Sequence, residues 1–184
     1  MSAKTSQKIT EWKIDGVHSM FEFAVRHMKV STVKGGFSGV SGEIHFDPDH
    51  VADARVRAEI DMSTIESHNA GRDDALRGER FFDVEKFPTA TFVSTSVQPK
   101  ADGTFLVTGD LTMRGITNEV AFDTVFEGIQ RTPNDSYRGA FTAKAKIRRT
   151  DFGMSQGTPL PGGGFSLSDI VELAMYTSVN PKEE

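Results

Sequence analysis

The sequence predicts an all-β fold, an antiparallel barrel of about eight strands with one short helical insertion. The first observation is alternation: apolar and polar side chains take turns from Ser19 to His27, and the same period of two recurs along most of the chain. The second is that turn signals, such as Asp15-Gly16 and Asp102-Gly103, separate the alternating segments. A large antiparallel sheet tends to close, because closure removes its unpaired edges.

The first third of the chain contains four predicted strands. In chain order they cover residues 11–15, 19–27, 37–46 and 52–62. Residues 29–34 lack clear alternation and predict a bend or a helical turn. Gly39 and Gly42 lie inside the third predicted strand, where glycine is costly, so they indicate a sharp bend or the close approach of another group.

A polar segment then interrupts the strands. Asn69 is a suitable cap for a short helix over residues 69–77, and residues 66–80 are the main helical insertion. Phe81 and Phe82 follow it directly. Two interpretations remain open: a lid or plug over one end of the barrel, or a loop helix held down by one of these phenylalanines in the core.

The second half of the chain predicts five more strands, over residues 89–97, 104–114, 118–127, 136–149 and 167–179. A loop rich in Pro and Gly, residues 157–164, precedes the last of them. The polar phase of the strands should face solvent. Its charged members are Glu22, Arg26, Arg55, Arg57, Glu59, Lys144 and Lys146.

Charge and composition exclude several classes of function. The net charge is −5 and the 21 basic residues are scattered, so neither nucleic acid nor an anionic membrane surface is an expected partner. The chain has no cysteine, which excludes disulfides and thiolate metal sites. No apolar run is long enough for stable membrane insertion. The length fits one domain over residues 11–184.

The N-terminal residues 1–10 are polar and predict a flexible arm. They contain no apolar signal segment, so the sequence as written predicts a cytoplasmic protein. A periplasmic or secreted location is expected instead if a signal segment has been removed.

The histidines and arginines suggest little catalytic chemistry. His18, His27, His45, His50 and His68 lack metal-ligand spacing, so no metal is expected. His27 ends the apolar row and is open to several roles: a hydrogen-bonded core residue, a donor to a ligand head group, an acid or base acting on an apolar substrate, or an axial haem ligand. Arg148-Arg149 with Asp151 predicts a surface ion pair, and Arg72 with Asp73 and Asp74 a solvated helix face.

Several motifs recur in the order typical of one family. They are Asp15…His18-Ser19-x-Phe21-x-Phe23-x-Val25-x-His27, Arg72-Asp73…Leu76-Arg77…Phe81-Phe82-Asp83-Val84-x-x-Phe87-Pro88, Gly109-Asp110-Leu111-Thr112-Met113-Arg114-Gly115, and Arg149-x-Asp151-Phe152-Gly153-Met154. The ordered set, over about residues 12–179, resembles the YceI-like, polyisoprenoid-binding proteins.

The resemblance implies an extended, eight-stranded, lipocalin-like barrel around an apolar tunnel. It implies non-catalytic binding, storage or transport of a long isoprenoid lipid, either a quinone tail or a polyprenyl chain, with no cofactor other than that lipid. The alternative is an enzyme that acts on an apolar substrate in the same cavity, with His27 as acid or base. A homodimer is left open.

The large apolar members of the alternating rows, with His27 and the two phenylalanines after the helix, are the candidate ligand-binding residues. They are Phe21, Phe23, Val25, His27, Val56, Ile60, Phe81, Phe82, Phe92, Leu111, Met113, Phe122, Phe141, Leu173 and Met175. Small residues on the same rows are expected to leave room between them: Ala54, Ala58, Gly109, Gly139, Ala143 and Ala145. Phenylalanine at Ala58 or Ala143 should then fill the tunnel at little cost in stability.

Overall fold

Eight antiparallel strands close the barrel, and a short hairpin extends its wall on one side. The computed structural model describes residues 9–182. The elements are β1 (Glu11–Ile14), β2 (Met20–His27), β3 (Ser31–Phe37), β4 (Val40–His45), β5 (Arg55–Asp61), β6 (Ile65–Glu66), α1 (Ala70–Arg77), β7 (Thr89–Pro99), β8 (Phe105–Met113), β9 (Ile116–Arg131), β10 (Tyr137–Arg148) and β11 (Leu167–Pro181). The ring runs β1-β4-β5-β7-β8-β9-β10-β11 and returns to β1, while β2, β3 and β6 continue outward from β11.

The alternating phases predicted from the sequence are confirmed. In β8, Phe105, Val107, Gly109, Leu111 and Met113 are buried and the intervening residues are not. Among the charged residues expected outside, Glu22 is half-buried and the other six are exposed. The two-residue turn that joins β8 to β9 has positive φ at Arg114 (53°) and Gly115 (70°), which suits the twist of a hairpin.

The expectation of a bend or helical turn over residues 29–34 is wrong. β2 and β3 form a hairpin in which Val25 pairs with Val33 and His27 with Ser31. Its turn has positive φ at Met28 (52°) and Lys29 (62°), although neither residue favours that conformation. The hairpin forms because its strands are paired along their length, so tertiary context overrides the local turn preference.

The strand predicted over residues 37–46 corresponds to β4, which begins only at Val40, because the chain bends after Phe37, the last residue of β3. Both glycines lie at close approaches, as predicted. A Cβ at Gly39 would come within 2.8 Å of side-chain atoms of Asp61 and Thr64. A Cβ at Gly42, whose φ is +143°, would lie 2.1 Å from the Arg57 carbonyl oxygen.

The wall between β9 and β10 is completed by a turn rather than by strand pairing. Pairing between these strands ends at Asp123 and Lys144, although both strands continue. A 3-10 turn over Arg149–Phe152 packs against β9. Phe152 is fully buried, and the side chain of Asn118 donates to the Asp151 carbonyl oxygen at 3.1 Å.

The core is rich in phenylalanine at one end of the barrel. Phe46 lies between the rings of Phe105, Phe126 and Phe141, with centroid separations of 5.8, 4.8 and 5.0 Å. We call these four residues the aromatic cluster. Close offset and edge-to-face rings stabilise each other beyond their buried area.

Near the N-terminus, Thr10 accepts a hydrogen bond from the Phe46 amide at 2.8 Å and Ile9 packs against the core. Residues 1–8 of the predicted flexible arm lie outside the described residues. Within residues 9–182, no helix has the length and hydropathy needed to cross a membrane.

Candidate functional site

The barrel interior contains two apolar spaces that share the side chain of Phe21. The deep chamber has a volume of about 80 Å³ and every residue that lines it is buried or half-buried. Its polar lining is limited to Thr124 and Thr177 among the described residues. The aromatic cluster supplies three of its rings, from Phe46, Phe105 and Phe141.

The mouth chamber is larger, about 330 Å³, and lies where β2, β3 and β11 meet the helix. The lining from these elements includes Phe23 and Val25 on β2, Val33 on β3 and Leu173 on β11. Ala75 of α1 lines the same space and is exposed. This volume is at the lower end of the range typical of small-molecule sites.

The structure brings all the candidate ligand-binding residues to one chamber or the other. Those in the mouth chamber are Phe21, Phe23, Val25, His27, Phe81, Phe82, Met113 and Leu173. Those in the deep chamber are Phe21, Val56, Ile60, Phe92, Leu111, Phe122, Phe141 and Met175. Their contact with a ligand stays a prediction.

The small residues do not all leave room as expected. A Cβ at Gly109 would lie 2.6 Å from the Phe92 ring, and one at Gly139 would lie 3.0 Å from a methyl group of Val179. The glycines therefore accommodate large neighbours rather than empty space. Ala54, Ala58 and Ala143 do line the deep chamber. Its volume equals the share of only two or three water molecules, so a phenylalanine at Ala58 would be crowded.

His27 is exposed and lines the mouth chamber, so its interpretation as a core histidine is wrong. Along β2, the residues of this phase become progressively more exposed: Phe21 and Phe23 are buried, Val25 is half-buried and His27 is exposed. Within residues 9–182, no group of three or more His, Asp or Glu side chains is arranged to hold a metal ion.

Helix α1 covers the mouth chamber and is also anchored there, so the two interpretations of the insertion describe one arrangement. Asn69 caps the helix by accepting from the Arg72 amide at 2.9 Å, as predicted. Arg72, Ala75 and Leu76 line the chamber. Phe82 packs edge-on against Phe37 with the ring centroids 5.4 Å apart, which holds the segment down.

The predicted solvated helix face is wrong for two of its three residues. Asp73 is buried and accepts a short hydrogen bond from the Ser67 hydroxyl. Arg72 donates through Nε to the same hydroxyl at 2.7 Å, and through Nη2 to the Ser67 carbonyl oxygen. Asp74 is exposed as expected and pairs with Arg77 at 3.2 Å.

Arg149 is the functional candidate that the sequence interpretation missed. Only 4% of the residue is exposed, whereas its neighbour Arg148 is exposed and lies 3.9 Å from Asp169. Arg149 donates to the carbonyl oxygens of Ser168 (2.8 Å), Gln156 (2.6 Å) and Leu167 (3.3 Å). The predicted surface ion pair with Asp151 is therefore wrong: Arg149 is buried, and the carboxylate that faces the exposed Arg148 belongs to Asp169.

The Arg149 side chain is a desolvated cation that lines the mouth chamber. Burial lowers the pKa of its guanidinium, and the Asp169 carboxylate opposes that shift. Its Nη1 is buried and has no hydrogen-bond partner among the described residues. The sequence did contain one indication that Arg149 is buried. Arg149 continues the inward-facing phase of Ala145 and Ile147, where an arginine is unusual.

Comparisons with known proteins support this description of the barrel. A family model described as YceI-like domain matches residues 12–179. A UPF0312 protein of Shewanella denitrificans is 33% identical over 170 residues, which cover 91% of this chain and 89% of that protein.

Solved structures share the fold. A Campylobacter jejuni YceI protein is 29% identical, with a TM-score of 0.73 over 86% of this chain and 90% of that one. A polyisoprenoid binding domain from Saccharophagus degradans, implicated in plant cell wall breakdown, has a TM-score of 0.64 and 14% identity over 93% of this chain and 98% of that one. At that identity, the second likeness shows the fold alone.

Proposed function

Because the chain belongs to the YceI-like domain family, we propose that it binds a long isoprenoid lipid without catalysing a reaction on it. The observation that carries the proposal is the interior itself. Two chambers meet at Phe21, and the deep one is lined almost entirely by apolar side chains. A prenyl chain has no polar group along its length, so it matches this lining and needs no specific hydrogen bond within it.

The hydrophobic effect supplies the affinity in this proposal. Each methylene group removed from water contributes about 0.8 kcal/mol, so affinity should accumulate along the chain. The mouth chamber accepts the first part of the tail. The tail enters the deep chamber only if rings such as Phe92 and Phe122, now 5.2 Å apart, separate to admit it.

The fold likeness to the Saccharophagus domain supports a polyisoprenoid ligand, because that protein is described as binding one. Whether the lipid is stored or carried, and whether it is a quinone tail or a polyprenyl chain, is part of the proposal. Catalysis has less support, because no acidic side chain of residues 9–182 lines either chamber to orient His27 as a base.

Mass spectrometry of organic extracts from the purified protein tests this proposal. We expect a prenyl lipid at near one molecule per barrel, and much less after the protein is washed with detergent and repurified. A second unrelated barrel prepared from the same cells controls for lipid carried over from membranes. Extracts that match this control, together with no uptake of added prenyl lipid, would refute the proposal.

A further inference from the structure

The barrel carries an exposed surface beside the mouth chamber that combines apolar side chains with cations. It consists of Arg26, Met28, Lys29, Val30 and Phe165, which we call the rim patch. We propose that the rim patch docks on the surface of an anionic lipid bilayer, with its apolar side chains in the interface and its cations near the lipid phosphates. Docking needs no lipid inside the barrel, so it is separate from the proposed function.

The rim patch is one surface, because the β2–β3 turn is bonded to the loop before β11. The Met28 amide donates to the Ser166 carbonyl oxygen at 2.7 Å, and the Lys29 ammonium donates to the Gly163 carbonyl oxygen at 2.7 Å. Phe165 lies between these two acceptor residues in the chain. Ser166 also lines the mouth chamber, so the rim patch borders that chamber.

The apolar side chains of the rim patch are exposed to solvent. Val30 is 79% exposed, Met28 46% and Phe165 38%. Single exposed hydrophobic residues are common on soluble proteins and need no explanation. Here three of them are held together by one hydrogen-bonded turn and loop, and a contiguous apolar surface of this kind marks an interaction site.

The charges of the rim patch favour an anionic partner. Residues 26–32 contain Arg26 and Lys29 and no acidic residue, and residues 153–168 contain no charged residue. Arg26 donates only to neutral groups, the Thr32 hydroxyl at 3.0 Å and the Lys29 carbonyl oxygen at 3.1 Å. The whole protein has a net charge of −5, so this cationic surface is a local exception. A bilayer with anionic lipids supplies both an apolar region and the opposite charge.

The turn that carries Met28 and Lys29 is not built from residues that favour its conformation. Both have positive φ, 52° and 62°, and the Val30 amide donates to the His27 carbonyl oxygen at 3.2 Å. Asn-Gly is the favoured sequence for a two-residue turn with positive φ at both positions. A methionine and a lysine there cost conformational energy, and such a cost is typical of residues kept for a function.

Co-sedimentation of the unaltered protein with large vesicles tests the docking. The vesicles are phosphatidylcholine alone, or phosphatidylcholine with about a third of phosphatidylglycerol. We expect at least about fivefold tighter binding to the anionic vesicles, and weaker binding as salt is added. Equal binding to both vesicles, or none to either, would overturn the docking proposal. Neither result affects the recovery of prenyl lipid from inside the barrel, which tests the proposed function alone.

Val30→Asp and Val17→Asp form a matched pair of variants. Val17 is 88% exposed and precedes β2, whereas Val30 follows it, so each variant adds one negative charge at an exposed valine at opposite ends of that strand. Val30→Asp should weaken binding to anionic vesicles at least about tenfold, and Val17→Asp less than about twofold. Equal effects would show that only net charge matters and would overturn the assignment to the rim patch.

The double variant Met28→Asn with Lys29→Gly separates docking from folding. Asn-Gly suits the turn, so this protein should unfold at a temperature no lower than the parent does, yet bind anionic vesicles at least about tenfold more weakly. Undiminished binding by the folded double variant would overturn the proposal. Size-exclusion chromatography covers a different occupant: a parent dimer that Val30→Asp dissociates, without vesicle binding, would identify the rim patch as a contact between two copies and refute bilayer docking.

Discussion

The mouth and deep chambers are lined by different parts of the same strands, yet they are filled differently. On β8, Met113 lines the mouth chamber and Leu111 the deep one, and on β11 the same is true of Leu173 and Met175. The deep part is nearly filled by rings, whereas the mouth part keeps space and carries cations. One alternating pattern therefore serves both a packed core and a binding site. The two chambers are distinguished by how much space their side chains leave empty, rather than by the alternation of the strands.

The largest contrast should appear when a ring is removed from each region. Phe46, of which only 2% is exposed, lies at the centre of the aromatic cluster. Phe46→Ala should therefore reduce the free energy of unfolding by about 3–5 kcal/mol. Phe81→Ala removes a half-buried ring at the mouth and should cost less than half of that. Urea unfolding midpoints measure both. Equal losses would show that the two regions are packed alike.

Adding a ring should sharpen the same contrast. Ala58→Phe overfills the deep chamber and should destabilise the protein by about 1–3 kcal/mol. The sequence alone predicted only a small cost for this substitution. Ala75→Phe adds a ring at the exposed edge of the mouth and should change stability by less than about 0.5 kcal/mol. Thermal unfolding compares the two variants. A harmless Ala58→Phe would mean that the deep chamber is wider than it appears.

Removing the N-cap of α1 should destabilise the helix over the mouth chamber without affecting the deep chamber. Asn69→Ala removes the cap from α1 and should destabilise the helix locally by about 1 kcal/mol. Amides in Ala70–Arg77 should then exchange with solvent about fivefold faster, whereas those of β8 should not change. Faster exchange in both regions would indicate that the mouth and the deep end open together.

The smallest expected effect concerns pH at Asp15, which directly follows Ile14 at the end of β1. Burial of the Asp15 carboxyl raises its pKa, but hydrogen bonds with His18, Val17 and Asn180 outweigh this and leave the pKa below its ordinary value of 3.8. The carboxylate therefore stabilises the fold above pH 3.8, and this contribution is lost as pH falls through the lower, folded-state pKa.

Asp15→Asn should remove this pH-dependent contribution, which we expect to be about 0.5–1 kcal/mol at neutral pH. Asp135→Asn is the matched control, because Asp135 is in an exposed ion pair with Arg131. The control should leave the stability profile between pH 2.5 and pH 6 unchanged. Identical profiles for the parent and Asp15→Asn would contradict the assignment.

Most of the fold could be predicted because its signal is local. Inward and outward positions repeat every two residues, so strands such as β5 and β8 can be located from their side chains alone. The β2–β3 hairpin could not, because Met28 and Lys29 take a positive-φ turn that only the paired strands impose. The hairpin is also held by the pairing of β2 with β11, which is distant in sequence.

The candidate site could be predicted in its apolar part and not in its polar part. Every large apolar candidate lies in one of the chambers, since burial and alternation are the same signal. Arg149 was assigned to the surface because arginine usually is exposed. Its burial depends on carbonyl oxygens from Gln156, Leu167 and Ser168, which come together only in the folded barrel.

The central claim is that the mouth chamber leads into a space that holds the lipid tail. Binding affinity measured against chain length, with geraniol, farnesol, geranylgeraniol and longer prenols as probes, tests it most directly. Each methylene buried should tighten binding by at most roughly fourfold, so the dissociation constant should fall with each isoprene unit and then level off once the interior is full. Affinity that does not change with chain length would contradict the claim, because the tail would then lie outside the barrel.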